Sequence, residues 1–328
     1  MKELGLRSCI TSVLTALIAG MILAAMPATA QQVTLKAANA FPEGSYFAQN
    51  FERFIKKVNE EGKGLVQINY IGGPAAIPTF ELANALRLGV VDLANTTTSY
   101  TASIVPEGLA LNYTDLSMAD MRRNGIMDYL NTFFLAKGLY YYARTGEGVP
   151  YYIFTNKKIE NGQLAGLRLR SAPIYRDFFN KVGINGVQLA PGEVYSALER
   201  GVIDGYAWPL MGIFDFGWQR ETHYRVEPGF YAIELGIIFN ANSLKRLTKE
   251  QRAFLDKQAT WIENLTVNSI RTDAPREIKR QEEAGIKVIR LEPQQAKQMK
   301  TTAYGAAWDA LVAESPAGAK LRGLMEPK

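Results

Sequence analysis

From Leu164 to Pro209 the hydrophobic positions switch repeatedly between a period of two and a helical period. Leu167-Arg168-Leu169-Arg170 is short and alternating, which predicts a strand. Ala172-Pro173 opens a helix, because proline fits the first helical turn. Phe178, Phe179 and Val182 give that helix an apolar stripe, and Gly183 stops it. Val187-Gln188-Leu189 predicts a second strand, Pro191-Gly192-Glu193 starts a helix ending at Gly201, and Val202 to Trp208 predicts a third strand. Strands alternating with helices build a parallel sheet. The pattern leaves Arg170 and Trp208 at the carboxyl ends of two strands, where open α/β sheets hold ligands. A guanidinium there offers a fork for a carboxylate, and an indole an apolar wall with one donor.

The first half repeats the alternation. A strand at Val33 to Ala38 precedes a helix with Phe47, Phe51, Phe54, Ile55 and Val58 on one face. A strand from Leu65 to Ile71 follows, then a helix carrying Leu82, Ala85 and Leu86, then a strand from Val90 to Ala94. Tyr113 to Tyr142 reads as mostly helical, with aromatic residues at Phe133, Phe134 and Tyr140 to Tyr142. Val149 to Phe154 and Tyr231 to Phe239 predict two strands of crossover type. Thr248 caps a long helix with Gln251 closing a capping box, and Pro275 is expected to kink or interrupt it. Gln294 to Leu324 predicts two further helices.

Lys2 and Arg7, the apolar run from Ile10 to Met26 and Ala28-Thr29-Ala30 before Gln31 read as a Sec-type signal peptide over residues 1–30. A retained anchor is the competing reading, but the run barely reaches spanning length. The expected location is the periplasm of a Gram-negative cell, with a mature protein that is not membrane-embedded. The one cysteine, Cys9, lies in this segment, so the mature protein is expected to carry no disulfide and no thiol chemistry. A net charge of +5 over 328 residues is mildly basic. No basic run with interleaved aromatics occurs, which argues against a nucleic-acid partner. His223 is the only histidine, so a zinc site built from several histidines is excluded within one chain. No G-x-S-x-G, Walker A or G-x-G-x-x-G motif is present. No catalytic residue, cofactor or metal site is read from the sequence.

Gly166-Leu167-Arg168-Leu169-Arg170, Glu193-Val194-Tyr195-Ser196-Ala197-Leu198, Gly201-Val202-Ile203-Asp204-Gly205 and Pro209 together resemble the substrate-binding proteins of TRAP transporters, the tripartite ATP-independent periplasmic family (DctP-like). The likeness extends through Lys36 to Ser45, Leu86 to Ala94 and Tyr224 to Ala259. It implies an α/β, two-lobed periplasmic binding protein fold, each lobe a mixed sheet flanked by helices, with a long helix crossing both lobes. The expected division is 31–150 plus 236–275 for lobe one and 151–235 plus 276–328 for lobe two. The resemblance further implies a monomer that delivers its ligand to small and large membrane subunits.

In that family the arginine matching Arg170 makes a two-point contact with a ligand carboxylate. Trp208 stands where members often place Asn, Glu or an aromatic. Members that bridge a keto acid through a metal carry an acidic residue just before it; Ala207 stands here, which argues against a cation-bridged ligand but leaves open whether an ion accompanies it. Sialic-acid-type members place a second arginine in the strand that here carries Tyr151 and Tyr152, of which Tyr151 is expected to face the cleft. Asn39 is either a polar contact or an ordinary turn residue. Thr97 and Tyr100, in the hydroxyl-rich run Thr96 to Tyr100, are expected to close over the ligand. Phe214 lines the pocket or packs in the core, and Glu234, inside an apolar strand, faces the cleft or pairs with an arginine. The expected ligand is a small organic monocarboxylate: a hydroxy, keto or aromatic acid. A binding protein for an ABC importer or sensor kinase, and a periplasmic enzyme acting on a small acid, are the alternatives.

Overall fold

The computed structural model describes residues 31–160 and 162–327; the expected signal peptide lies outside them. Strand β1 (Val33–Asn39) enters a sheet whose next members are β2 (Val66–Tyr70) and β3 (Leu93–Thr96), both parallel to β1. Helix α1 (Tyr46–Glu61) packs Phe51, Phe54, Ile55 and Val58 into the core of this sheet, as its apolar stripe requires. Helix α2 (Leu82–Arg87) and the one-turn helix α3 (Thr98–Thr101) precede and follow β3.

The segment expected to be mostly helical differs. A 3₁₀ stretch (Pro106–Asn112) and two helices, α4 (Met118–Arg123) and α5 (Ile126–Ala136), give way at Gly138 to strand β4 (Leu139–Glu147). Tyr140, Tyr141 and Tyr142 therefore lie on a strand. Gly138 at φ 78° ends the helix, and the aromatic run that follows favours a pleated surface. β4 is buried on both faces over most of its length, so it lacks the alternation that would mark it in sequence.

The chain then leaves for a second sheet. This sheet is built from β5 (Tyr151–Thr155), β6 (Arg168–Ser171), helix α6 (Arg176–Val182), β7 (Asn185–Gln188), helix α7 (Val194–Glu199), β8 (Gly205–Pro209) and β9 (Tyr224–Phe230). It returns at β10 (Glu234–Asn240), which lies antiparallel between β3 and β4. Helices α8 (Ala241–Lys245) and α9 (Lys249–Glu283), strand β11 (Lys287–Arg290) and helices α10 (Pro293–Glu314) and α11 (Gly318–Met325) complete the chain. The strand orders are β2-β1-β3-β10-β4 and β11-β9-β5-β8-β6-β7. β10 lies wholly in the first sheet, so the division expected at Gly236 would cut through it.

Two short segments, 148–150 and 231–233, link the sheets, and α9 spans the same gap. Its early part buries Leu255, Ala259 and Ile262 against the first sheet. Near its end, Gln281 donates to the Leu210 carbonyl at 2.7 Å and accepts from Arg225 of β9 at 2.5 Å. The capping box forms: Gln251 N–H donates to Thr248 Oγ1 and Thr248 N–H to Gln251 Oε1. The helix runs through Pro275 without interruption. Proline removes one i→i−4 bond, and the packing of each half on its own sheet carries the helix across that loss.

The G-V-I-D-G motif has a physical reading. Gly201 turns at φ 65° and Ile203 is buried. Asp204 accepts from Arg168 through Nη2 (2.7 Å), Nε (3.2 Å) and the backbone N–H (3.0 Å), and pairs with Lys157 at 2.6 Å. Gly205 pairs with Thr155 of β5 so closely that a Cβ would sit 2.1 Å from the Phe154 carbonyl oxygen. These contacts register β8 on both neighbours, and β8 carries Trp208. Arg168 and then Lys157 hold the Asp204 carboxyl well below the ordinary carboxylate range. Its folded-state pKa is depressed, so its contribution is present above pH about 4 and is lost as pH falls further. Asp204→Asn is expected to melt lower than wild type at pH 7, with the gap closing toward pH 2. A gap that stays constant across thermal melts from pH 2 to 7 would contradict this.

Candidate functional site

Arg170, on β6 of the second sheet, is wholly buried, with 0% of its surface exposed. β6 pairs with β7 and β8 on either side, so its side chain leaves the sheet near the carboxyl ends of three parallel strands. Nε donates to the Leu189 carbonyl at 3.0 Å, and the guanidinium carbon lies 5.2 Å from the Trp208 ring. Nη2 has no hydrogen-bond partner within the protein. A buried cation holding an unsatisfied donor is costly unless an anion or polar group meets it.

Arg170 lines a narrow space of about 20 Å³. The second sheet contributes Arg170, Tyr151, Trp208 and, just past β6, Ala172, Ile174 and Tyr175. The first contributes Phe41, Phe47, Thr97, Ser99, Tyr100 and, from the start of β10, Leu235, and Ile233 comes from the segment just before β10. Among the described residues no carboxylate and no second cation lines it. Burial pushes the Tyr100, Tyr151 and Tyr175 phenols up, so all three are neutral donors at neutral pH. Arg170 offsets part of that rise at Tyr100 and Tyr175.

Five of the residues singled out in the sequence thus meet at one cavity: Arg170, Trp208, Tyr151, Thr97 and Tyr100. Tyr152 is on the opposite face of β5, near the Arg225 guanidinium. Asn39 is buried behind the wall, accepting from Phe41 N–H and Asn95 Nδ2, both at 3.1 Å. It is a turn-fixing asparagine of the first sheet and does not line the cavity. Phe214 lies under Arg280 of α9, 3.8 Å from its guanidinium carbon, and is likewise outside.

Glu234 does not face the cavity either. Its Oε2 accepts from Thr98 N–H at 2.8 Å and Thr98 Oγ1 at 2.7 Å, and its Oε1 from Tyr141 OH at 2.5 Å. Strand alternation turns it away while Ile233 and Leu235 face the space. Burial pushes its carboxyl up, and Arg144 followed by these hydrogen bonds pulls it back. Through Thr98 it holds the turn that presents Thr97 and Tyr100.

Tyr175, Phe41, Phe47 and Ser99 were missed. Phe47 reads in sequence as one more core residue of α1, yet it sits in the first turn, where the helix meets the cleft. There its ring packs edge-on against Trp208 at 5.7 Å. Tyr175 follows the Arg170 strand directly, and that position in an α/β sheet was the available signal.

With the geometry described, comparison with known proteins places the chain. The family of bacterial extracellular solute-binding proteins, family 7 (DctP), matches residues 37–314. The chain belongs to this family of solute receptors, as its motifs implied. It is 25% identical over 231 residues to a monocarboxylate 2-oxoacid-binding periplasmic protein of Nostoc sp., covering 66% of this chain and 62% of that protein. Its fold is similar to a TRAP periplasmic solute binding protein from Desulfovibrio salexigens with bound orotic acid (TM-score 0.79, 18% identity, 89% of this chain and 96% of the other). It is also similar to one from Rhodoferax ferrireducens with bound malonate (TM-score 0.77, 18% identity, 88% and 96%). Family and fold are those of receptors rather than enzymes. Among the described residues no helix is long and apolar enough to cross a membrane.

Tyr141→Phe removes one donor from a fully buried carboxylate. It is expected to cost about 1.5–3 kcal/mol in denaturant unfolding. Stability unchanged within about 0.5 kcal/mol would mean that the phenol does not support Glu234.

Proposed function

We propose that the protein captures a small organic monocarboxylate between its two lobes and hands it to the small and large membrane subunits of a TRAP transporter. The observation that carries this reading is the buried Arg170 fork, with Nη2 unpartnered, in a cavity otherwise lined by neutral hydroxyl, aromatic and aliphatic groups. One fixed cation without a compensating carboxylate favours one negative charge on the ligand. Arg170 meets the carboxylate through charge-assisted hydrogen bonds, held from behind by the Leu189 carbonyl and the Trp208 face. Thr97, Ser99 and the phenols meet a hydroxyl or keto oxygen, and Phe41, Phe47 and Trp208 meet an apolar or aromatic remainder. A second carboxylate would find no cation at this wall. The monocarboxylate and 2-oxoacid named for the Nostoc relative fit this reading, whereas malonate in the Rhodoferax structure shows that the fold also accommodates a dicarboxylate. The proposed lobes are those expected from sequence, with β10 assigned whole to lobe one, and closure occurs at the segments 148–150 and 231–233.

Thermal shift against pyruvate, lactate, 4-methyl-2-oxopentanoate, orotate, pyroglutamate, malonate, succinate, galacturonate and amino acids tests the class. An acid at a hundredfold excess over its dissociation constant stabilises by about 2.7 kcal/mol, a rise of several degrees. Shifts confined to monocarboxylates support the reading, and among them galacturonate alone would remove the apolar remainder from it; shifts confined to dicarboxylates overturn it. Arg170→Ala is expected to weaken the responding acid by more than about a hundredfold in titration calorimetry. A change below about threefold would remove Arg170 as the anchor.

A further inference from the structure

Helix α1 begins at the rim of the cleft with an unusual arrangement. Ser45 occupies its N-cap position, but its hydroxyl donates to the Pro42 carbonyl at 2.6 Å and caps nothing. The first helical amide, Tyr46 N–H, donates instead to Asp215 Oδ2 at 2.8 Å. Asp215 belongs to the loop after β8, in the other sheet, so the acceptor comes from across the cleft. The first amides of a helix lack internal partners and carry partial positive charge, which makes a carboxylate a favourable occupant.

The surrounding contacts show that this meeting is built. Asp215 N–H donates to the Gly212 carbonyl at 3.2 Å, forming a turn, and Phe214 beside it packs under Arg280 of α9 at 3.8 Å. Gly212, at φ 92°, leaves room for Phe47: a Cβ there would sit 2.9 Å from the Phe47 ring. Phe47 in turn touches Trp208, whose other neighbours include the Arg170 guanidinium. Tyr46 OH donates to Asp273 of α9 at 3.3 Å. The first turn of α1 thus meets the second lobe through one hydrogen bond and one aromatic contact, side by side.

We propose that Asp215 is a positioning residue for ligand binding: a helix cap supplied in trans by one lobe to the other, made on closure and broken on opening. It does not line the cavity, and its contribution is to the lifetime of the closed state. An open cleft leaves Tyr46 N–H and the Asp215 carboxylate each to water. Closure exchanges those contacts for the cap, so the latch is felt mainly in dissociation. This rests on the closing-receptor reading above.

The test measures dissociation by stopped flow for each panel acid that shifts the melting temperature, pyruvate first, in wild type, Asp215→Asn and Asp215→Ala. Losing a helix cap predicts dissociation about fivefold faster for alanine. Asparagine keeps an acceptor and is expected to fall between. The melting temperature of the ligand-free protein should stay within about 2 °C, because without ligand only a minor closed population makes the contact. Dissociation within twofold of wild type for alanine overturns the latch. So does a fall in ligand-free melting temperature with no change in dissociation, which marks an ordinary structural residue. Should no acid of the panel bind, the monocarboxylate reading fails first. Spin labels at Lys56→Cys and Arg200→Cys, both exposed and on opposite lobes, then decide. A smaller short-distance population in Asp215→Ala than in wild type supports the latch, and identical distance distributions overturn it.

Discussion

A guanidinium with no access to water organises this molecule. Burying Arg170 is unfavourable by itself, and the protein offsets only part of that cost, with one carbonyl, one aromatic face and the Tyr100 phenol. Its Nη2 is unpartnered, and the side chain lines a cavity to which two separate sheets contribute. In the proposed closing receptor, opening of the cleft rehydrates the cation, and closure without a suitable anion leaves it poorly satisfied. On that proposal, ligand capture and lobe closure are coupled through the solvation of one side chain.

Much of the remaining structure keeps that side chain and its opposing wall in register. Asp204 and Gly205 lock β8 between β6 and β5, which fixes Trp208 beside Arg170. On the other lobe, Glu234 and Tyr141 do the corresponding task for the turn carrying Thr97 and Tyr100. Both supports are carboxylates held by several donors, one at a strand end with partly exposed partners and the other entirely buried. The buried network is the more demanding, because each of its members loses a partner when another is removed.

The segment from Arg168 to Pro209 was readable because each of its elements carries its own punctuation: proline at helix starts, glycine at helix ends, short apolar runs between. The capping box at Thr248 was equally local. The stretch from Leu139 to Glu147 was misread because a strand buried on both faces shows no alternation, and its tyrosines continue the composition of the helix before it. β9 and β11 went unnamed because Pro228 interrupts the first and the second spans only Lys287–Arg290. Pro275 did not interrupt α9, since tertiary packing overrode the local preference.

Sequence alone therefore determined the family, the α/β alternation and the cation that lines the candidate cavity, because motif spacing and strand-end position are properties of neighbouring residues. Tertiary structure decided which side chains share the cavity. Asn39, Phe214 and Glu234 turned away because hydrogen bonds and stacking inside each lobe claimed them. Phe47, Ser99 and Tyr175 joined because two sheets distant in sequence close over one another. The Tyr46–Asp215 contact, 169 positions apart, had no trace in the sequence. A helix cap is legible when both partners are local, and here the second partner comes from the opposite lobe.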